Sequence, residues 1–239
     1  MVVEHIYGMH PAFEVLRARR RRVQRAYLQE GLRAQAARIQ QLTALLAAAG
    51  VPIERLPKQR LGQLCRSAEH QGVVLVADPY PYVALESIWD EPRLLLLDNV
   101  EDPQNVGAIL RSAEVFGWQA VLLSARGVPE VYPSVVKAAA GATEHLRVAR
   151  DHAANIYVKL LLARGFTLLA LDAHGRDDIA LLSQRAYAKL LLVIGGEHRS
   201  VGQHILNQAH HVAGIPQKGR IRSLNASVAA GIALCMLAR

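Results

Sequence analysis

Hydrophobic positions along this chain follow two patterns, separated by a proline-rich passage. Over residues 1–77, short apolar runs alternate with amphipathic stretches. Ala26-Tyr27-Leu28 reads as a strand, 32–49 as an amphipathic helix closed by Gly50, and Val51–Leu56 as a second strand. A helical turn over Gln63–Glu69 and a buried strand over Val73–Ala77 follow. Asp78-Pro79-Tyr80-Pro81-Tyr82, with Pro92 beyond it, continues neither a helix nor a central strand, so 78–92 reads as a linker. From residue 93 strands alternate with helices: Leu94–Leu97, helix 104–116, Ala120–Ser124, helices 134–140 and 152–164, Thr167–Leu171, Leu190–Ile194, helix 202–209 and a terminal helix 224–238. The runs Leu94–Leu97 and Leu190–Ile194 contain no polar residue. A strand with one wet face alternates, so these predict a parallel sheet buried on both faces. The expected fold is α/β, with a small N-terminal α/β domain over 1–77 and a larger layered domain over 93–239.

Charge changes the picture. The chain has 239 residues, a net charge of +8, 51% hydrophobic and 20% charged residues, which excludes a disordered chain. Residues 1–80 hold 12 Arg and Lys against 6 Asp and Glu, while 81–239 hold 16 against 14. Eleven of the early cations are Arg, the better phosphate clamp. That asymmetry points to a nucleic-acid partner, with Arg17-Ala18-Arg19-Arg20-Arg21-Arg22 expected at the surface and Arg19, Arg20, Arg21 and Arg22 as its RNA-binding candidates. Two cysteines make no disulfide framework or Cys-rich zinc site. The first residues lack a secretory layout, and the longest uncharged run, 223–238, is shorter than the ~20 residues that span a bilayer. A soluble cytoplasmic protein with no membrane contact is expected. No Gly pattern for a dinucleotide or a P-loop occurs, no HExxH and no GxSxG, and no metal is expected.

The candidate chemistry lies in three polar-tipped segments. Asp102-Pro103 is a helix start with Asp as N-cap; Asn105 sits in its first turn, and Arg111 lies one turn beyond Gly107 on that face. Val193–Glu197 is a strand ending in Gly195, Gly196 and a carboxylate, glycines that allow close backbone approach to a ligand. Ser223 and Asn225 follow the basic loop Lys218-Gly219-Arg220 and Arg222, at the mouth of a helix apolar nearly all round, which calls for cover on more than one side. Taken together these sit where α/β folds bind ligands, at the carboxyl edge of the sheet.

In order and spacing, the three segments, with Ser134–Ala142 and His145, resemble the SpoU/TrmH-type RNA ribose 2′-O-methyltransferases. The front module, through Ile6–Leu16 and Gln71–Val74, resembles the substrate-binding domain of their 23S rRNA guanosine-2′-O-methyltransferase (RlmB) branch. The resemblance implies a trefoil-knotted C-terminal domain that binds S-adenosylmethionine (SAM), a small N-terminal RNA-binding domain, and a homodimer. It places Asn105, Arg111, Glu197, Ser223 and Asn225 on the family's active-site positions and Gly195, Ile215 and Leu224 on its cofactor-binding positions, with Gln217 beside them. The implied reaction methylates a ribose 2′-hydroxyl, in 23S rRNA first, in tRNA as the alternative; the other class is a non-catalytic RNA-binding assembly factor. Arg111 is expected to clamp the target phosphate, oriented by Glu197 and Asn105. One departure stands out: His198-Arg199-Ser200-Val201-Gly202 replaces the Gly-rich run many members carry after the glutamate.

Overall fold

The computed structural model describes residues 2–31, 36–197, 199–220 and 223–238. The chain divides into two compact units, Met1–Pro81 with Val131–Glu144, and Tyr82–Glu130 with His145–Arg239.

In the first unit the chain runs β1 (Glu4–Tyr7), α1 (Met9–Ala18), β2 (Val23–Gln29), α2 (Ala36–Ala48), β3 (Ile53–Leu56), α3 (Lys58–Cys65) and β4 (Val73–Ala77). Its sheet has the order β1-β4-β2-β3; β4 is antiparallel to both neighbours and β2–β3 is parallel. The central strand β4 is apolar throughout and buried in all but one residue, as its unbroken run requires. Helix α3 begins earlier than the expected 63–69. Pro57 supplies its preset φ at the start, and Arg66 in the left-handed region, φ 52, ends it. Of the helix expected over 32–49, residues 32–35 lie outside the described residues.

The second unit carries β5 (Arg93–Asp98), α4 (Pro103–Val115) and β6 (Ala120–Leu123). After α5 (Pro133–Ala138), which belongs to the first unit, come β7 (Arg147–Ala149), α6 (Ala154–Leu162), β8 (Thr167–Leu171), β9 (Asp177–Asp178) and α7 (Ile179–Leu182). The chain ends with β10 (Leu190–Gly195), α8 (Gln203–Leu206), β11 (His211–Gly214) and α9 (Ala226–Met236). The seven strands form a parallel sheet in the order β7-β6-β5-β10-β8-β11-β9. The Leu94–Leu97 and Leu190–Ile194 runs pair directly, Leu94 with Leu191 through Leu97 with Ile194, and all are buried. One face is filled by Tyr157, Val158 and Leu161 of α6 against Leu94, Leu96, Leu191 and Val193. Each such fully buried side chain contributes roughly 1.5–3 kcal/mol relative to exposure.

Two expectations change. The sequence pattern puts segment 131–144 in the second domain; it folds with the first, where Glu144 meets Arg21 and α5 packs on β1. The basic cluster is not wholly superficial either. The Arg21 side chain is 1% exposed, donating to both oxygens of the fully buried Glu144 and, at 2.6 Å, to Glu4. A guanidinium is tolerable in a core only when its fork is matched in this way.

Candidate active site at the carboxyl edge of the parallel sheet

Strand order decides where a ligand fits. β10 lies between β5 and β8, so the loops after these three strands emerge side by side from one edge of the sheet. The loop after β5 leads into α4, whose N-cap Asp102 accepts from Gln104 N at 2.9 Å with Pro103 in the first turn. That places Asn105 on the inner side of the first turn, 8% exposed. The loop after β10 carries Glu197. Helix α9 begins at Asn225, whose Oδ1 accepts from Ser227 N at 3.0 Å and Val228 N at 3.4 Å.

These three segments close on one another. Asn225 Nδ2 donates to Asn105 Oδ1 at 3.0 Å and also to Glu197 Oε1. Asn105 Nδ2 reaches the same Glu197 oxygen at 3.4 Å, as does Ala226 N. One carboxylate oxygen thus gathers three donors, which fixes the loop, the first turn of α4 and the start of α9 as one polar unit.

The two glycines are needed for the chain itself. A Cβ on Gly196 would lie 1.9 Å from Asn99 O, and one on Gly195 2.2 Å from Val201 N. The loop folds back tightly over the end of β5, and its stitches are Gly202 N to Asp98 Oδ2 at 2.9 Å and Asn99 Nδ2 to Ser200 O at 3.3 Å. Burial raises the Asp98 carboxyl above its ordinary range, the Gly202 bond working against that rise.

Beside this cluster lies a cavity of about 280 Å³. Gly195, Ile215, Gln217 and Leu224 all line it, together with Ser223, Glu197, Asp172 and Ser200. Its walls are mixed: Leu171, Ile194, Ile215, Leu224, Ala226 and Ala229 are apolar, while carboxylate, hydroxyl and amide groups stand among them. Such a lining suits a ligand that carries both apolar and polar groups.

Arg111 stands apart. It is exposed and makes no hydrogen bond or ion pair among the described residues. Six residues separate it from Asn105 along α4, about 120° around the helix at 3.6 residues per turn. Its expected orientation by Glu197 and Asn105 is therefore not what this structure has; those groups satisfy each other and Asn225 instead. Of the N-terminal arginines, Arg19 and Arg22 are exposed, Arg20 donates to Pro81 O at 3.2 Å, and Arg21 is buried. His198 and Arg222 lie outside the described residues. Sequence reasoning missed Asp98 and Asp172; Asp98 closes β5 and Asp172 follows β8, and a carboxylate at the end of an apolar run was the available signal.

A parallel α/β sheet with a ligand cavity and a locked polar cluster at its carboxyl edge defines a ligand-binding protein of the α/β class. Residues 92–235 match the model of the SpoU rRNA methylase family, and 5–83 match that of the RNA 2′-O ribose methyltransferase substrate-binding domain. The chain belongs to the SpoU family of RNA methyltransferases. It is 30% identical over 236 residues, 96% of this chain and 92% of the other, to a Bacillus subtilis protein assigned to the TrmH family of tRNA/rRNA methyltransferases. Its fold is that of an RNA 2′-O ribose methyltransferase (TM-score 0.80, 23% identity, 98% of this chain and 87% of that one). It is equally that of the AdoMet-bound rRNA methyltransferase of Sinorhizobium meliloti (TM-score 0.79, 22% identity, 98% and 86%). SAM is the methyl donor of this family, and the mixed lining of the cavity fits it.

Proposed function

We propose that the protein methylates the ribose 2′-hydroxyl of a guanosine in 23S rRNA, acting as a cytoplasmic homodimer with a trefoil-knotted catalytic domain. The single observation that carries the methyl-transfer reading is the closure of Asn105, Glu197 and Asn225 beside the cavity lined by Gly195, Ile215, Gln217 and Leu224. A non-catalytic assembly factor has no need of this assembled set. The front unit, with its basic excess and its match to a substrate-binding model, supports a large folded RNA as substrate.

When bound, SAM supplies a methyl already activated on a sulfonium. The protein's task is therefore positioning, a term that reaches roughly 7–11 kcal/mol when reacting atoms are held in line. Gly195, Ile215, Gln217 and Leu224 hold the donor through their walls and main chain, and Ser223 stands at the mouth of the same cavity. Glu197 and the two asparagines keep the walls at fixed spacing. Arg111, exposed and unpaired among the described residues, takes a phosphate of the target strand and stabilises the alkoxide as it develops. Arg19, Arg20 and Arg22 contact RNA from the front unit.

Support for the knot comes from the match of residues 92–235 to the SpoU rRNA methylase family. Support for the homodimer comes from α9. Ala226, Ala230, Ala233 and Leu234 are buried within the unit, and Trp118 Nε1 donates to Leu234 O at 3.3 Å, yet Val228 is 50% exposed and Val115 of α4 is 65% exposed. A second copy supplies the cover that this apolar helix lacks.

The test is incubation with labelled SAM and either deproteinised 23S rRNA or bulk tRNA, followed by mapping of the methylated ribose, with Arg111→Ala as control. One labelled guanosine in 23S rRNA is the expected result. Label confined to tRNA keeps the chemistry and overturns the substrate; no label in either overturns both.

A further inference from the structure

We infer that Asp172 is the carboxylate that receives the ribose diol of the methyl donor. Asp172 is the first residue past β8 and lines the cavity. Its main chain is fixed from both sides: its N donates to Ala213 O at 3.0 Å, and its O accepts from Gly175 N at 3.1 Å. Its side chain is fixed as well. Oδ1 accepts from His174 N at 2.8 Å and Oδ2 accepts from Ser200 Oγ at 2.5 Å.

An ionised carboxylate offers about four acceptor positions, two on each oxygen. One bond to each oxygen leaves one position open on each. The turn at His174 accounts for Oδ1 alone, and Ser200 for Oδ2 alone. No cation pairs with Asp172 among the described residues, so a charge faces the cavity with half its acceptor capacity unused. Two adjacent hydroxyls are the complement of two adjacent oxygens, the pairing by which acidic residues select ribose in other α/β sites. The cavity's other carboxylate, Glu197, has one oxygen already committed to Asn105, Asn225 and Ala226. Ser200 acts here as a positioning residue. Its hydroxyl aims Asp172, and its carbonyl accepts from Asn99, so one residue links the ends of β8 and β5 across the loop of Glu197.

The inference rests on the donor occupying this cavity. The test is calorimetric binding of S-adenosylhomocysteine and of its 2′,3′-dideoxy analogue to the unmodified protein and to Asp172→Asn, Ser200→Ala and Ala229→Phe, with thermal midpoints as a folding check. The unmodified protein binds the diol ligand at least about tenfold more tightly than the dideoxy one, the scale of one charge-assisted hydrogen bond. Asp172→Asn removes that preference and leaves the dideoxy affinity within about twofold; Ser200→Ala reduces the preference part way. Equal losses on both ligands, or no loss on either, overturn the role of Asp172. Should Asp172→Asn fail the folding check, the unmodified protein and Ser200→Ala still decide, and no diol preference in the former overturns the assignment. Unchanged binding in Ala229→Phe, which fills the cavity, overturns the placement of the donor instead.

Discussion

Asn225 donates its amide to Asn105 Oδ1 at 3.0 Å, while its own Oδ1 accepts from Ser227 N at the same distance. One side chain thus starts helix α9 and closes the site, 120 residues along the chain from its partner. Stability and function are coupled at this residue, and they separate by choice of substitution. Asn225→Ala removes both roles and costs about 0.5–2 kcal/mol for the cap alone. Asn225→Ser keeps a capping oxygen and loses the donor, so it retains more stability than Asn225→Ala in urea unfolding while losing methyl transfer to a similar degree.

Arg21 and its neighbour Arg22 are predicted to behave oppositely. Arg21→Ala leaves buried Glu144 without its counter-ion and costs on the order of 3–5 kcal/mol. Exposed Arg22→Ala stays within about 0.5 kcal/mol of the unmodified protein. It lowers RNA affinity and flattens the dependence of that affinity on salt, the logarithmic slope falling by about 0.7 for each phosphate of a single strand that is no longer neutralised. Chemical denaturation paired with RNA titration at several salt concentrations checks both.

Arg111→Lys keeps the charge and loses the planar fork, and it is predicted to lower kcat on the order of a hundredfold, the scale of one missing transition-state donor. The donor's affinity stays unchanged, because Arg111 does not line the cavity. Single-turnover rates alongside S-adenosylhomocysteine binding provide the measurement, and full activity in Arg111→Lys removes the clamp from the mechanism.

Asp98 links the site to pH. Burial raises its carboxyl above the ordinary 3.8. The folded protein therefore holds this proton more tightly than the unfolded chain does. The group's contribution to stability is fullest below 3.8 and declines as pH rises through the raised value. Asp98→Asn, which keeps an oxygen for Gly202 N, removes that decline. Urea midpoints from about pH 4 to 7, the range above the ordinary carboxylate value, should fall less steeply for the variant than for the unmodified protein; parallel curves would remove Asp98 as the source.

The parallel sheet is legible because Leu94–Leu97 and Leu190–Ile194 have no polar residue, a pattern that only two-sided burial permits. Short elements are not: β9 is two residues, Asp177–Asp178, and β11 begins at His211, with no periodicity to read. Asn105, Glu197 and Asn225 are legible as polar residues at the tips of apolar elements, yet their mutual bonds depend on strand order, which places β10 beside β5. The face of Arg111 is harder to read, because standing one turn from Gly107 does not bring it near Asn105. Arg21 is hidden for a different reason. Its partner Glu144 lies 123 residues away, and nothing in a run of arginines marks the one that meets a buried acid.

The return of residues 131–144 to the first unit sets the terms on which the two halves can be exchanged or separated. A chain cut at residue 82 carries Glu144 away from Arg21 and strips α5 from β1, so neither fragment inherits a complete interior. Transplanting the front unit to another methyltransferase means moving two stretches of sequence together, and a graft of the first 81 residues alone brings an arginine whose acid has been left behind.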